Sequence, residues 1–200
     1  NHKGRQLKTS FLRKTGDYAQ AEALINESLL MDKFNMGCRF ESYLINILQG
    51  KSEEAAAAKA EMKALMRGAV HSYLEYAIDY ASAGMYDEAA QLLSFVTEDA
   101  EVTYPMVYFA LGYFASKMGK KDEAVALYKK AETICPDYCF PNKIEEVLML
   151  NDAMKLNPEG AKAPYYLGNF HYAARIYDEA VACWEKSVSI DDTYPTVLRN

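Results

Sequence analysis

The amino-acid sequence predicts an all-α protein built from stacked helix-turn-helix units. Three observations predict this class: a repeat period of 34 or 35 residues, amphipathic stripes on both sides of each turn, and a low content of turn-forming residues. The 200 residues include ten glycines and six prolines. Average usage gives roughly 24 of these two residues together. So few turn-forming residues indicate long helices.

A glycine marks the turn of each unit. Gly16, Gly50, Gly84 and Gly119 stand 34, 34 and 35 residues apart, and an alanine follows each of them by five residues. Arg175 takes the place of the glycine in the last unit. After each marker comes a helical turn that is in most units acidic, and then an apolar stripe at spacings of three and four. A second stripe precedes each turn, so every unit is predicted to be helix, turn, helix.

Two units resemble the tetratricopeptide repeat. The matching residues are Tyr108, Leu111, Gly112, Ala115, Ala124, Tyr128, Ala131 and Pro136 in one unit, and Leu167, Gly168, Ala180 and Trp184 in the last. The resemblance implies a right-handed α-α superhelical solenoid of about eleven helices, with a ligand surface on the inner face. We expect Gly112 and Ala124 to let paired helices approach closely. Tyr128 and Trp184 are expected to fill the gap to the neighbouring repeat.

The whole chain is predicted to form one solenoid, irregular at one place. Its units are expected at about 1–34, 35–68, 69–102, 103–136, 137–158 (degenerate) and 159–192, with the start of a further helix at 195–200. In the degenerate unit only one helix fits, at about 142–156, between Pro141 and Pro158. We expect the lost first helix to leave a gap, or a side pocket lined by Tyr138 and Phe140.

The charge pattern limits the classes of partner. A net charge of −6, from 22 basic and 28 acidic residues, disfavours a protein that binds nucleic acid through many phosphate contacts. Residues 1–14 contain no acid and five cations, which are interpreted as a solvated end face, with an acidic partner as the alternative. These cations are Lys3, Arg5, Lys8, Arg13 and Lys14. No apolar run reaches the roughly 18 residues of a membrane span.

No catalytic, cofactor-binding or metal-binding residue is predicted. The sequence has no glycine-rich phosphate loop, no G-x-S-x-G and no H-E-x-x-H. Acidic pairs recur at the start of second helices, where they interact favourably with the helix N-terminus; they are Glu53-Glu54, Asp87-Glu88, Asp122-Glu123 and Asp178-Glu179. His171 is expected to be structural. Small buried hydrophobes, rather than zinc ligands, are expected at Cys38, Cys135, Cys139 and Cys183.

By the resemblance, a partner binds beside the packing stripe of the first helices. These positions combine aromatic rings with Lys and Asn, a mixture found at protein interfaces. They are Met106, Phe109, Tyr113, Lys117, Lys162, Tyr165, Asn169 and Tyr172. The alternative is that the degenerate helix or a following repeat covers some of them.

The chain is therefore predicted to be a non-catalytic scaffold that binds a protein, a peptide segment or a neighbouring domain on its concave face. The alternative is a structural spacer or self-assembly element that associates through an open C-terminal end. A third hypothesis is an enzyme or carbohydrate-binding module acting near Tyr138.

The setting of the chain is predicted from its ends and from a second resemblance. The chain begins with Asn1 and stops where a helix is expected to begin, so it is interpreted as part of a longer protein. Residues 140–200 resemble the repeat region of large bacterial proteins that also carry an uncharacterised β-rich domain and are often linked to carbohydrate metabolism. That resemblance implies a setting and no activity.

Overall fold

The computed structural model describes residues 2–98, 102–135, 137–193 and 196–199. Over these residues the chain forms eleven α-helices, which confirms the predicted all-α repeat fold. They are α1 His2–Lys14, α2 Tyr18–Met31, α3 Met36–Leu48, α4 Ser52–Met66, α5 Val70–Ser82, α6 Tyr86–Thr97, α7 Met106–Lys117, α8 Lys121–Thr133, α9 Ile144–Leu156, α10 Lys162–Ala173 and α11 Tyr177–Ile190. A short 3-10 helix follows at Val197–Arg199.

The chain divides into two compact units, 1–72 and 73–200, with the boundary inside α5. The single solenoid and its unit limits stay a prediction. Pro136 of the repeat signature and Pro195 of the expected further helix lie outside the described residues.

The predicted turns are left-handed positions that end the first helix of each pair. Gly16, Gly50, Gly84 and Gly119 have φ between +72° and +82°, and Arg175 has φ +63°. At all five turns the next N–H donates to the carbonyl five residues earlier, at 2.9–3.0 Å. This 6→1 bond belongs to the Schellman motif that closes a helix. The sequence period is therefore a period of helix C-caps.

In the first unit, α1 packs against α2 and α3 with polar side chains. The buried residues of α1 are Gln6, Thr9, Ser10 and Arg13. Arg13 Nε donates to Glu41 Oε2 at 2.6 Å and Ser10 Oγ donates to Glu41 Oε1 at 2.7 Å. Both members of this ion pair are buried. The expected solvated end face is thus corrected at Arg13, whose charge is neutralised in the core.

In the second unit, paired helices meet where an aromatic ring covers a glycine. A Cβ at Gly112 would lie 2.4 Å from the Tyr128 ring, and one at Gly168 would lie 2.4 Å from Trp184 Nε1. The two rings therefore lie on the glycine of their own pair. This corrects the expectation that they mainly fill the gap to a neighbouring repeat. Tyr128 reaches α9 through its hydroxyl, which donates to Asp152 at 2.7 Å.

One helix, α9, stands between α8 and α10, as predicted for the degenerate unit. Its start is capped by a bond from the Lys143 N–H to Glu146 Oε2 at 2.9 Å. It packs against both α7 and α10, so it occupies the place where a gap was expected. The rings expected to line a side pocket are at the surface instead, with Tyr138 88% and Phe140 65% exposed.

Arg175 occupies a turn position that suits glycine better. Arg175→Gly should raise the free energy of unfolding by about 1 kcal/mol, because a side chain in the left-handed region costs roughly 1–2 kcal/mol and glycine gives back part of this as entropy. Urea denaturation followed by circular dichroism measures the change.

Gly119→Ala is the matched opposite change. No atom lies within 4 Å of the added Cβ, so steric contacts do not contribute. The variant should lower the free energy of unfolding by about 1 kcal/mol, and this change reports the backbone conformation alone. Equal stability of both variants and the parent chain would contradict the proposed role of the turn.

The buried ion pair of the first unit should be sensitive to the loss of one partner. Arg13→Met is expected to lower the free energy of unfolding by about 3–5 kcal/mol, because Glu41 is left charged and buried. The double variant R13M/E41L should be more stable than Arg13→Met, since apolar replacement of both ends leaves no buried charge. Urea denaturation of the parent chain, Arg13→Met and the double variant measures these changes in the free energy of unfolding.

Arg5→Met is the control, because Arg5 pairs with the half-exposed Glu27 at 3.0 Å. This variant should lower the free energy of unfolding by at most about 1 kcal/mol. Similar losses in the Arg5 and Arg13 variants would show that burial of the Glu41 pair is unimportant.

Candidate functional site

The structure disperses the eight residues predicted to bind a partner. Met106 and Phe109 are fully buried, and Tyr165 is almost so. The cause is that α7 packs against α6, α8 and α9 and is buried around most of its circumference. The Phe109 ring meets Tyr166 of α10 at 6.0 Å between centroids. These three side chains belong to the core, as in the alternative in which the degenerate helix covers part of the face.

Lys162 acts at the junction between α8 and α10. Its ammonium donates to the backbone carbonyls of Glu132 and Ile134 at the end of α8. The Glu132 carboxylate accepts the Lys162 N–H at 2.9 Å. The Lys162 side chain thus satisfies the last carbonyls of α8, and the Glu132 side chain satisfies an N–H at the start of α10. Desolvation lowers the pKa of Lys162 and raises the pKa of Glu132, as expected for charges used inside the fold.

Tyr113 and Lys117 form a small patch at the end of α7. The Lys117 ammonium lies 4.9 Å from the centre of the Tyr113 ring, a cation–π contact. The same ring meets Tyr86 of α6 edge-on at 6.3 Å. These contacts turn Tyr113 towards α6. Asn169 and Tyr172 belong to a different cluster, at the turn between α10 and α11.

An exposed aromatic cluster surrounds the turn between α10 and α11. We name it the aromatic surface, and it comprises Asn169, Tyr172, Ile176, Tyr177 and Trp184. Tyr172 is 56% and Tyr177 53% exposed. Their ring centroids are 5.4 Å apart, and Tyr172 lies 5.6 Å from Trp184. Trp184 Nε1 donates to Asn169 Oδ1 at 3.1 Å, so the indole is held in one orientation.

Sequence reasoning named Asn169 and Tyr172 but missed Ile176 and Tyr177. Tyr177 begins the segment Tyr-Asp-Glu-Ala, which also occurs at Tyr86. In both places this tyrosine packs against an aromatic residue of an adjacent helix: Tyr86 meets Tyr113 of the following α7, and Tyr177 meets Tyr172 of the preceding α10. The repeated segment could have pointed to Tyr177 from the sequence. The exposure of Tyr177 in the last pair is visible only in the fold.

The other candidate groups behave mostly as structural elements. The predicted acidic pairs lie in the first turns of α4, α6, α8 and α11. His171 is half-buried and its ring meets Phe170 at 5.9 Å. Among the residues that the structure describes, no three His, Cys, Asp or Glu side chains are placed to hold a metal ion. No described helix has the length and apolar character to cross a membrane.

The four cysteines differ in exposure. Cys38 and Cys139 are buried, as expected, whereas Cys183 is half-buried and Cys135 is exposed. The expectation of a buried thiol is therefore wrong at Cys135, which lies just after the end of α8. Burial raises the pKa of the Cys139 thiol to about 12.

The comparison with known families agrees with the geometry of the best-packed pair. Residues 107–138, which include most of α7, its turn and α8, match the tetratricopeptide repeat. This segment is a tetratricopeptide repeat (TPR). The matched TPR is the one in which Tyr128 covers Gly112.

Several solved structures resemble this chain. MamA is 16% identical, with 94% of this chain and 96% of that chain covered and a TM-score of 0.37. PilF of Pseudomonas aeruginosa is 15% identical, with 98% and 79% covered and a TM-score of 0.38. YrrB, described as a TPR protein with an unusual peptide-binding site, is 15% identical, with 88% and 96% covered and a TM-score of 0.33.

Alkylation should distinguish the four cysteines of this chain by their exposure. We expect iodoacetamide to label Cys135 first and Cys183 more slowly. Cys38 and Cys139 should react only after unfolding, because burial both shields them and raises the pKa of each thiol. Peptide mass spectrometry follows each site, and labelling in urea is the control in which all four react. Rapid labelling of Cys139 in the folded chain would contradict its placement in the core.

Proposed function

We propose that this TPR protein is a non-catalytic interaction scaffold that binds a protein or peptide segment at the aromatic surface. The observation that carries the proposal is the exposure of Tyr172 and Tyr177, about half of each side chain, in a cluster held by ring contacts. Aromatic side chains are enriched among the residues that dominate binding energy. Rings already held in place lose little conformational entropy when a partner binds.

Two of the residues first predicted to bind a partner, Asn169 and Tyr172, supply this surface. Asn169 orients Trp184 by accepting its indole N–H, and Tyr172 stacks against the same indole. Tyr113 and Lys117 are proposed as a second, smaller contact patch. Met106, Phe109, Tyr165 and Lys162 act within the fold and are not proposed to touch a partner.

Self-assembly, the alternative function, is supported by the adjoining part of the same side of α11, where Val181 and Val188 line an apolar depression together with Trp184 of the aromatic surface. The bacterial, carbohydrate-linked setting implied by residues 140–200 stays a prediction.

Replacement of Tyr172 tests the proposed surface. Peptides selected against the full chain from a random phage-displayed library should bind Tyr172→Ala about tenfold more weakly or worse, because truncating an aromatic hot spot costs about 2 kcal/mol. Isothermal titration calorimetry measures the affinities, and circular dichroism verifies the fold.

Tyr138→Ala is the matched control, because it removes an 88% exposed tyrosine outside the aromatic surface. It should leave peptide affinity unchanged. Failure to select any peptide, or equal binding to the Tyr172→Ala variant and the parent chain, would count against the aromatic surface as the binding site.

A further inference from the structure

One side of α11, roughly a quarter of the way around the helix from its buried residues, carries a partly exposed apolar stripe. Ala180 and Ser187 face the core, whereas Val181 is 48% exposed. The stripe borders a shallow depression of about 470 Å³, which is lined by Val181, Trp184, Glu185, Val188 and Ser189. Spacings of three and four place these side chains on one face of the helix.

Acidic residues border this stripe at intervals of seven. Asp178 and Glu185 are about two helical turns apart, so they lie on the same side of α11, next to Val181. Asp192 follows at the same interval, just beyond the end of the helix, and all three acids are exposed. The outer face of α11 therefore combines an apolar stripe with a negative border.

The helix α1 has a matching face of opposite charge. Leu7 and Phe11 are exposed, Phe11 by 66%, and lie one turn apart on the side of α1 away from its buried polar residues. Exposed Lys3, Lys8 and Lys14 border this apolar pair. The helix contains no acid.

The two faces also occupy complementary places in the repeat. The helix α1 is the first of a pair and α11 is the second of a pair. Within the first compact unit, the first helix α3 packs on the preceding second helix α2, and within the second unit α7 packs on α6 in the same way. The outer face of a second helix is thus a surface on which this fold seats a first helix. The Val197–Arg199 helix also contacts α11, and the residues that line the depression beside Val181 all belong to α11.

We infer that copies of this chain associate head to tail, with α1 of one copy seated on α11 of another. Leu7 and Phe11 enter the depression beside Val181, and Lys8 faces the acidic border at Glu185. The second copy is the partner because the chain itself supplies both the apolar match and the charge match. Each copy carries both faces, so the contact is heterologous and is not limited to two copies.

Sedimentation velocity of the full chain over a range of concentrations tests this inference. We expect mass to rise with concentration, and association to weaken as salt screens the exposed charges. Phe11→Ser and Val181→Ser should each raise the apparent dissociation constant about tenfold. Leu30→Ser is the control, because Leu30 is highly exposed but lies on neither face, and it should associate like the parent chain.

A charge exchange tests the pairing of the two faces. Lys8→Glu and Glu185→Lys should each weaken association, since each sets like charges against one another. The double variant K8E/E185K should restore it, because the charges are opposite again. Lys121→Glu, an exposed reversal on α8, is the control and should leave association unchanged.

A parent chain that stays monomeric at every concentration would overturn the inference. So would association that survives both Phe11→Ser and Val181→Ser, which would place the contact elsewhere. Loss of association in Val181→Ser but not in Phe11→Ser would mean that two α11 faces pair symmetrically, and it overturns the head-to-tail contact as well. Val181 lies beside Trp184 of the aromatic surface, so Phe11→Ser, which leaves that surface intact, is the variant that separates self-association from peptide binding.

Discussion

The second compact unit depends on the packing of an aromatic ring against a bare backbone position. Tyr128 on Gly112 and Trp184 on Gly168 bring paired helices together at a distance that a Cβ would prevent. Tyr128 also hydrogen-bonds to Asp152 of α9, so its contact fixes both its own helix pair and the neighbouring helix, whereas Trp184 bonds to Asn169 within its own pair. The aromatic surface is a consequence, since Tyr172 stacks on the indole that this packing holds.

The first compact unit joins its helices with polar groups. Gly37 of α3 lies under the side chain of Gln6, and a Cβ there would approach it to 2.2 Å. Beside this contact Arg13 and Glu41 form a buried ion pair, supported by the Ser10 hydroxyl. Such a pair adds little net stability compared with apolar packing, but it strongly penalises arrangements that separate its members. Leu7 and Phe11 of α1 lie on the opposite, exposed side.

The degenerate unit determines which surface is available to a partner. With α9 packed on α7 and α10, Met106, Phe109 and Tyr165 become core residues. The exposed rings are instead those at the turn between α10 and α11. In the same region Lys162 and Glu132 join the end of α8 to the start of α10. Because the repeat is irregular here, the candidate binding surface lies at the turn between α10 and α11 instead of on α7.

The sequence by itself determined the helices, their number, the turns and the single helix of the degenerate unit. These features rest on local physics: a residue with positive φ ends a helix, acids favour a helix N-terminus, and apolar spacing sets the buried stripe. Only the tertiary structure decided that Arg13 is buried, that Phe109 lies in the core and that Tyr177 is exposed. The first two outcomes depend on Glu41 and on Tyr166. Tyr177 stays exposed because the short Val197–Arg199 helix, which contacts α11, leaves it uncovered. Helical periodicity marks a face as apolar, but whether that face is covered depends on residues more than twenty positions away.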